Sequence, residues 1–223
     1  MGQIFHACAF DIENKTCCVM DVDKFHANCY AHSGAVCSLH YLLRQKPHRV
    51  MWAGYYVLLN DNLGCISRIE DLLGFSTFLT TDDLDHEKLR KKGYDYKIKF
   101  IRENIGTWKE VSVWDEALKY CDWKKNRSVR RDGFLLNHTT KKAVNLADYY
   151  AQSSYSGKNE FMMSVDALPV LTETGGGTAM LLFNGVPNKF TEKFVGVWRS
   201  DLLQITDGLP DDYTLLKCCF PFK

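Results

Sequence analysis

The sequence predicts an α+β fold: an antiparallel sheet assembled from hairpins, with a helical segment set between two β-rich parts. Three observations carry that reading. Short runs near both ends of the chain are rich in β-formers and apolar residues. Turn-forming residues such as Glu13, Asn14 and Lys15 separate them. The middle, residues 62–131, changes to helical spacing with many charges. The chain therefore divides into a hairpin, helix and strand unit (1–61), a helical insert (62–131) and a second β-rich unit (132–223), all within one compact globular domain. A chain of 223 residues buries roughly 70% of its unfolded surface without metal or disulfide staples.

Taken in order, QIFHACAFDIENKTCCVMDV (3–22) reads as two strands around the 13–15 turn. In GAVCSLHYLLRQKP, Val36, Leu39, Leu42 and Leu43 mark one helical stripe that Pro47 stops. HRVMWAGYYVLL is the next strand, with Gly54 expected at a bulge. TTDDLDHEKLRKK and SVWDEALKYCDW are helical, opening on the Thr80 to Asp83 and Ser112 to Asp115 spacings of a capping box. Strands are expected again over DGFLLNH, AVNLADYYA, SVDALPVLT, TAMLLFNG, FVGVWRSDLLQIT and DYTLLKCCF, the last two joined by the turn DGLPDD.

An internal repeat is suggested by two pairings in the same order. DIENKTCCVMD (11–21) lies on NHTTKKAVNLA (137–147), placing Asp11 with Asn137 and Lys15 with Lys141. MWAGYYVLLND (51–61) lies on VWRSDLLQITD (197–207), placing Trp52 with Trp198 and Asp61 with Asp207.

Composition excludes several classes. Apolar residues at 46% and charged residues at 25% fit a globular protein, not a disordered or fibrous one. Lys plus Arg number 28 against 27 acidic residues, so no global field draws the chain to nucleic acid or an anionic membrane. The densest basic stretch, KKNRSVRR, has no interleaved aromatic and reads as a solvated linker. Nine cysteines without a CxxC spacing argue against a zinc ribbon and for buried thiols, and no metal or cofactor is called for. MGQIFHACAF lacks the pattern of a signal peptide, and no apolar run is long enough to cross a bilayer, so the expected location is cytoplasmic.

NHTTKKAVNL, then TGGGT, then VWRSDLLQI give the second half a resemblance. Over residues 133–220 it resembles a set of small uncharacterised, mostly bacterial proteins that carry a strand ending NHTKK, a glycine-rich GGGD run and a closing WxGDxI strand. The resemblance implies architecture and assigns no activity. Here Thr178 stands where the acidic residue follows the glycines, and Ser200 replaces the glycine before Asp201.

The polar tip His138, Thr139, Thr140, Lys141 and Lys142 and the run Gly175, Gly176, Gly177 and Thr178 are the candidate ligand-binding residues. Such groups would meet a phosphate through cations and backbone amides. His138 and Thr140 form one HxT element of the two-histidine phosphoesterases, but no other histidine has Ser or Thr two residues on. The glycine run lacks the GKS or GKT of a P-loop, and HEKLR at His86 has Arg90 where a metalloprotease needs its second histidine. His6 and Cys8 share one strand face, as alternation alone often arranges. Trp198 and Asp201 are the residues expected at an interaction surface. With no complete catalytic set in the sequence, the leading expectation is a cytosolic, non-enzymatic binding or inhibitory protein that occupies a protein partner. The alternative is an enzyme or sensor that binds a phosphorylated small molecule or nucleotide through the 138–142 tip and the 175–178 run.

Overall fold

The computed structural model describes residues 5–22, 31, 33–54, 109–121, 129–153, 166–174, 194 and 196–217. The first hairpin forms as the sequence predicts. β1 (Phe5–Asp11) and β2 (Thr16–Val22) pair antiparallel from Asp11↔Thr16 to Phe5↔Val22. Asp11 closes the turn locally: its Oδ1 accepts the Asn14 N–H at 3.2 Å and its Oδ2 the Asn14 amide at 2.7 Å. Helix α1 (Gly34–Gln45) begins where the Ser33 hydroxyl accepts the Val36 N–H at 3.1 Å. Its stripe of Val36, Leu39 and Leu43 is fully buried, each such side chain contributing about 2 kcal/mol. β3 (His48–Gly54) pairs with β1 without interruption from Phe10↔Arg49 to Phe5↔Gly54. Gly54 is therefore an ordinary ladder residue and not the expected bulge.

The segment expected to be helical is mixed where it is described. β4 (Lys109–Glu110) lies parallel to β2, with the Lys109 N–H on the Lys15 carbonyl and the Val111 N–H on the Cys17 carbonyl. Helix α2 (Trp114–Tyr120) follows, starting one residue later than the Ser112 spacing implied; Val113 is its N-cap and supplies no side-chain bond. The other expected helix, 80–92, lies outside the described residues.

The second hairpin is β5 (Phe134–Asn137) and β6 (Lys142–Asn145). AVNLADYYA does not continue as a strand. It turns at Asn145 into α3 (Leu146–Ser153), because the Asn145 Oδ1 accepts the Asp148 N–H at 3.1 Å and Leu146, Tyr149 and Tyr150 fall on one buried helical face. SVDALPVLT also departs from the expected strand. Asp166 Oδ1 takes the Leu168 N–H at 2.8 Å and opens α4 (Ala167–Thr172), whose first turn accommodates Pro169. β7 (Glu173–Thr174), β8 (Leu202–Thr206) and β9 (Thr214–Leu215) complete the sheet. TAMLLFNG lies outside the described residues.

The result is an α+β fold on one mixed sheet. Eight strands run in the order β4-β2-β1-β3-β8-β5-β6-β9, and β7 pairs with β3 beside that path. The order is symmetrical about its centre. On each side a hairpin lends its first strand to an antiparallel inner neighbour (β1 to β3, β5 to β8) and its second to a parallel outer one (β2 to β4, β6 to β9). The main core is continuous across the centre and holds Trp52, Trp198, Leu39, Leu135, Leu168 and Leu203. On the opposite face of the second hairpin, Leu136, Ala143 and Tyr213 form a smaller cluster. No helix among the described residues is long and apolar enough to cross a membrane.

Candidate functional site

At the tip of the second hairpin, the polar groups are engaged within the chain. Asn137, buried at the end of β5, accepts the N–H groups of Thr139 (2.9 Å) and Thr140 (3.0 Å) on its Oδ1 and donates its amide to Asp201 Oδ2 (2.8 Å). The Tyr213 hydroxyl donates to His138 Nδ1 at 2.6 Å, which leaves Nε2–H to donate to Gln204 Oε1 at 3.0 Å. Thr139 Oγ1 accepts the Leu202 N–H at 3.1 Å. Lys141 pairs with Asp212 at 3.0 Å and stands 4.8 Å over the Tyr213 ring. That pairing raises the lysine and lowers the aspartate from their ordinary pKa values. Lys142 is exposed on β6.

Gly175, Gly176, Gly177 and Thr178 lie outside the described residues. The preceding Thr174 pairs with Ala53 of β3, which β8 separates from the hairpin strand β5. Trp198 is buried in the main core, its N–H on the Leu171 carbonyl at 2.7 Å, and Asp201 is buried against Asn137. Ser200, where the resembled proteins carry glycine, has φ of 60°, the left-handed conformation that favours glycine.

A second polar cluster is interior. The fully buried Asp166 carboxylate receives the Leu168 N–H on one oxygen, and the Tyr150 hydroxyl and His40 Nε2 (2.9 Å) on the other. Burial pushes Asp166 up, but His40 with the Tyr150 and Leu168 donors brings it below the usual carboxylate range. Burial and the neighbouring carboxylate push the Tyr150 phenol well up, so it stays a donor. Nearby, Cys37 of α1 bonds Cys121 after α2; that bond and burial raise its thiol far above the ordinary range and keep it from being a nucleophile. This cluster ties α1, α3 and the start of α4 together.

The third feature was not predicted from any motif. A cleft of about 540 Å³ opens between β2, α1 and the segment joining β4 to α2, within the range of small-ligand and side-chain pockets. Its apolar walls are Val19, Met20, Val111 and Val113. Cys18, Ser38, Ser112 and Glu110 add polar groups. Burial pushes the Cys18 thiol up to about 11, so it meets the cleft as a neutral group. Ser38 is fully buried, and its hydroxyl has no partner among the described residues.

Trp114 stands on the rim with 48% of its surface exposed. Its ring lies on Gly34 so closely that a Cβ there would fall 2.0 Å from Cη2. The absence of a side chain at Gly34 is what lets an exposed indole rest on the first turn of α1. The sequence held one usable signal, a tryptophan at the solvent-facing start of a short amphipathic helix. Its partner, Gly34, is eighty positions away.

No family model matches this chain, and neither a curated protein nor a solved structure does.

Proposed function

We propose that the chain is a cytosolic binding protein that acts by occupying a protein partner rather than by chemical turnover, and that the partner seats in the cleft beside Trp114. The observation that carries this reading is the Trp114 indole, held against Gly34 and still half exposed at the mouth of a cleft whose walls are part apolar and part polar. A tryptophan offers large rigid contact area at low entropic cost, which is why it dominates interface energetics. Buried thiols outside any disulfide at Cys18, Cys37 and Cys121 are compatible with a reducing compartment. The phosphorylated-ligand alternative draws little support from the tip, where Lys141 is paired with Asp212 and His138 is spanned by Tyr213 and Gln204.

The repeat belongs to the same proposal. The matched order of strands about the sheet centre, and the pairing of Asp11 with Asn137 and Lys15 with Lys141 at the two turns, support two copies of one unit. The tryptophan pairing gains no such support: Trp52 lies within β3, whereas Trp198 lies in the turn before β8. On this reading the Trp114 cleft is the feature that specialises the first unit.

The test uses the immobilised protein as bait, with Trp114→Ala and the double variant His138→Ala, Lys141→Ala alongside. A partner retained by the wild type and the double variant, and depleted about tenfold or more on Trp114→Ala, is the expected result. A partner kept by Trp114→Ala and lost with the tip variant would transfer the site to the hairpin.

A further inference from the structure

Resting on that binding reading, we infer that the cleft takes an extended segment of the partner, which pairs its main chain with the open edge of β2 at Val19 and lays side chains beside Ser38 and Trp114. The edge is open because β4 is short. It pairs with β2 at Thr16↔Lys109 and Cys17↔Glu110, whereas β2 runs on to Val22. The Lys15 and Cys17 carbonyls accept the Lys109 and Val111 N–H groups. Odd-numbered residues of β2 therefore turn their main-chain groups outward, and even-numbered ones turn theirs to β1. Val19 is the next outward residue. A parallel strand continuing past Val111 would bring the Val113 N–H to the Val19 carbonyl. Instead the chain swings towards α2, and the Val113 N–H meets the Cys18 sulfur.

Val19 lines the cleft and is 8% exposed. Among the described residues, nothing on the outer side pairs with its N–H or its carbonyl. Main-chain groups left unpaired at a buried residue carry a desolvation cost that an added strand removes. Two common guards of a sheet edge are also missing, since Thr16–Val22 contains neither proline nor lysine. A second observation points independently to an occupant. The Ser38 hydroxyl on the α1 side of the cleft is buried with no partner among the described residues, and a side chain with a neutral hydrogen-bonding group, such as a threonine, satisfies it. Val111 and Val113 add apolar surface, and the Trp114 indole flanks the segment at the rim. An extended peptide answers all of these at once, because strand pairing fixes its main chain while alternation sends its side chains to two faces. A free small molecule has no row of N–H and C=O groups to match the edge.

The experiment follows the main-chain amides of the isotope-labelled full chain by NMR. In the free protein the Val19 amide should exchange with water about tenfold faster, or more, than those of Cys18 and Met20, which face β1. The probe is the blocked pentapeptide acetyl-Val-Thr-Val-Thr-Val-amide. Its control is the same peptide methylated on every amide nitrogen, which keeps the side chains and loses the N–H donors. The expected result is saturable movement and slowed exchange of the Val19 amide with the pentapeptide, with binding about tenfold weaker, or more, for the methylated control. Ser38→Ala should weaken pentapeptide binding about threefold. A Val19 amide as protected as its neighbours in the free protein overturns the inference, because the edge is then closed. Protection that rises with protein concentration and without peptide makes a second copy the occupant and overturns the partner assignment. Equal binding of the two peptides overturns strand pairing and leaves the cleft a site for side chains alone. Unchanged affinity in Ser38→Ala overturns the role given to that hydroxyl. No movement of Val19 with either peptide also overturns the inference. The binding reading itself stands or falls separately, on whether Trp114→Ala depletes a captured partner.

Discussion

Lys15 and Lys141 adopt the same left-handed backbone conformation, with φ of 50° and 55°, each as the last residue of a four-residue hairpin turn. Each follows by four positions a residue whose side-chain oxygen accepts turn N–H groups, Asp11 in one hairpin and Asn137 in the other. The turns are thus built by one local recipe, in which a capping side chain starts the turn and a left-handed residue ends it.

Lys15→Gly should therefore stabilise the fold by about 1 kcal/mol, since glycine adopts φ > 0 without steric cost. Lys141→Gly should gain less, because it also removes the contacts with Asp212 and Tyr213. Ser200→Gly, at φ of 60°, should behave like Lys15→Gly. Denaturant midpoints measure all three; a loss of stability in Lys15→Gly would contradict the turn assignment.

Asn137 donates to a buried carboxylate and accepts two backbone N–H groups at once. Asn137→Ala should cost about 2–3 kcal/mol through the orphaned partners. Asn137→Asp keeps the acceptor but sets a second carboxylate against Asp201. Its deficit relative to the wild type should shrink as the pH falls through the carboxylate range, as equilibrium unfolding at pH 7 and pH 4 would show.

The Asp11 carboxyl has a sign that can be checked. Burial pushes it up, but Lys46 and Asn14 bring it down to about 2 from an ordinary 3.8. A carboxyl depressed in the folded state stabilises the fold above its unfolded pKa, and that stability is lost as the pH falls through the folded value. The contribution is about 1–2 kcal/mol, discounted because the Lys46 side chain is 43% exposed. The wild type should lose it between about pH 4 and pH 2, and Lys46→Met should show a much shallower loss over that window.

Much of the fold was legible because its signals are local. The Glu13 to Lys15 turn, the Leu39 and Leu43 stripe and the strand ending at Asn137 carry their own instructions within a few residues. The errors came where a side chain chose between local alternatives. Val144, Leu146 and Tyr150 satisfy a strand period as well as a helical one, and only the Asn145 cap decides for helix. Pro169 was a warning against a strand through 166–172, and Asp166 supplies the cap that makes it a helix. The interior cluster was invisible for another reason: His40 and Asp166 meet across 126 positions, a distance no linear motif spans. The role of Trp114 is hidden in the sequence for the same reason: its ring rests on Gly34, eighty positions away.

Asp166 holds three donors in a dry interior, from Tyr150, Leu168 and His40. Asp166→Asn keeps the shape but sets an N–H₂ group against donors, and should cost about 2–4 kcal/mol. Tyr150→Phe removes one donor and leaves the hub otherwise satisfied, so it should cost about 1 kcal/mol. Thermal unfolding of the two variants should keep that order; the reverse order would mean that the cluster is not organised around the carboxylate.

The central claim is that Trp114, seated on Gly34, makes the cleft a binding site, and the most direct measurement is partner capture by Gly34→Ala beside its melting temperature. Alanine favours the helix at this position while its Cβ displaces the far edge of the indole. The two effects offset each other in stability but not at the rim. The account predicts a melting temperature within about 3 °C of the wild type and partner capture reduced about tenfold. A variant that melts like the wild type and captures the same partner undiminished would contradict it.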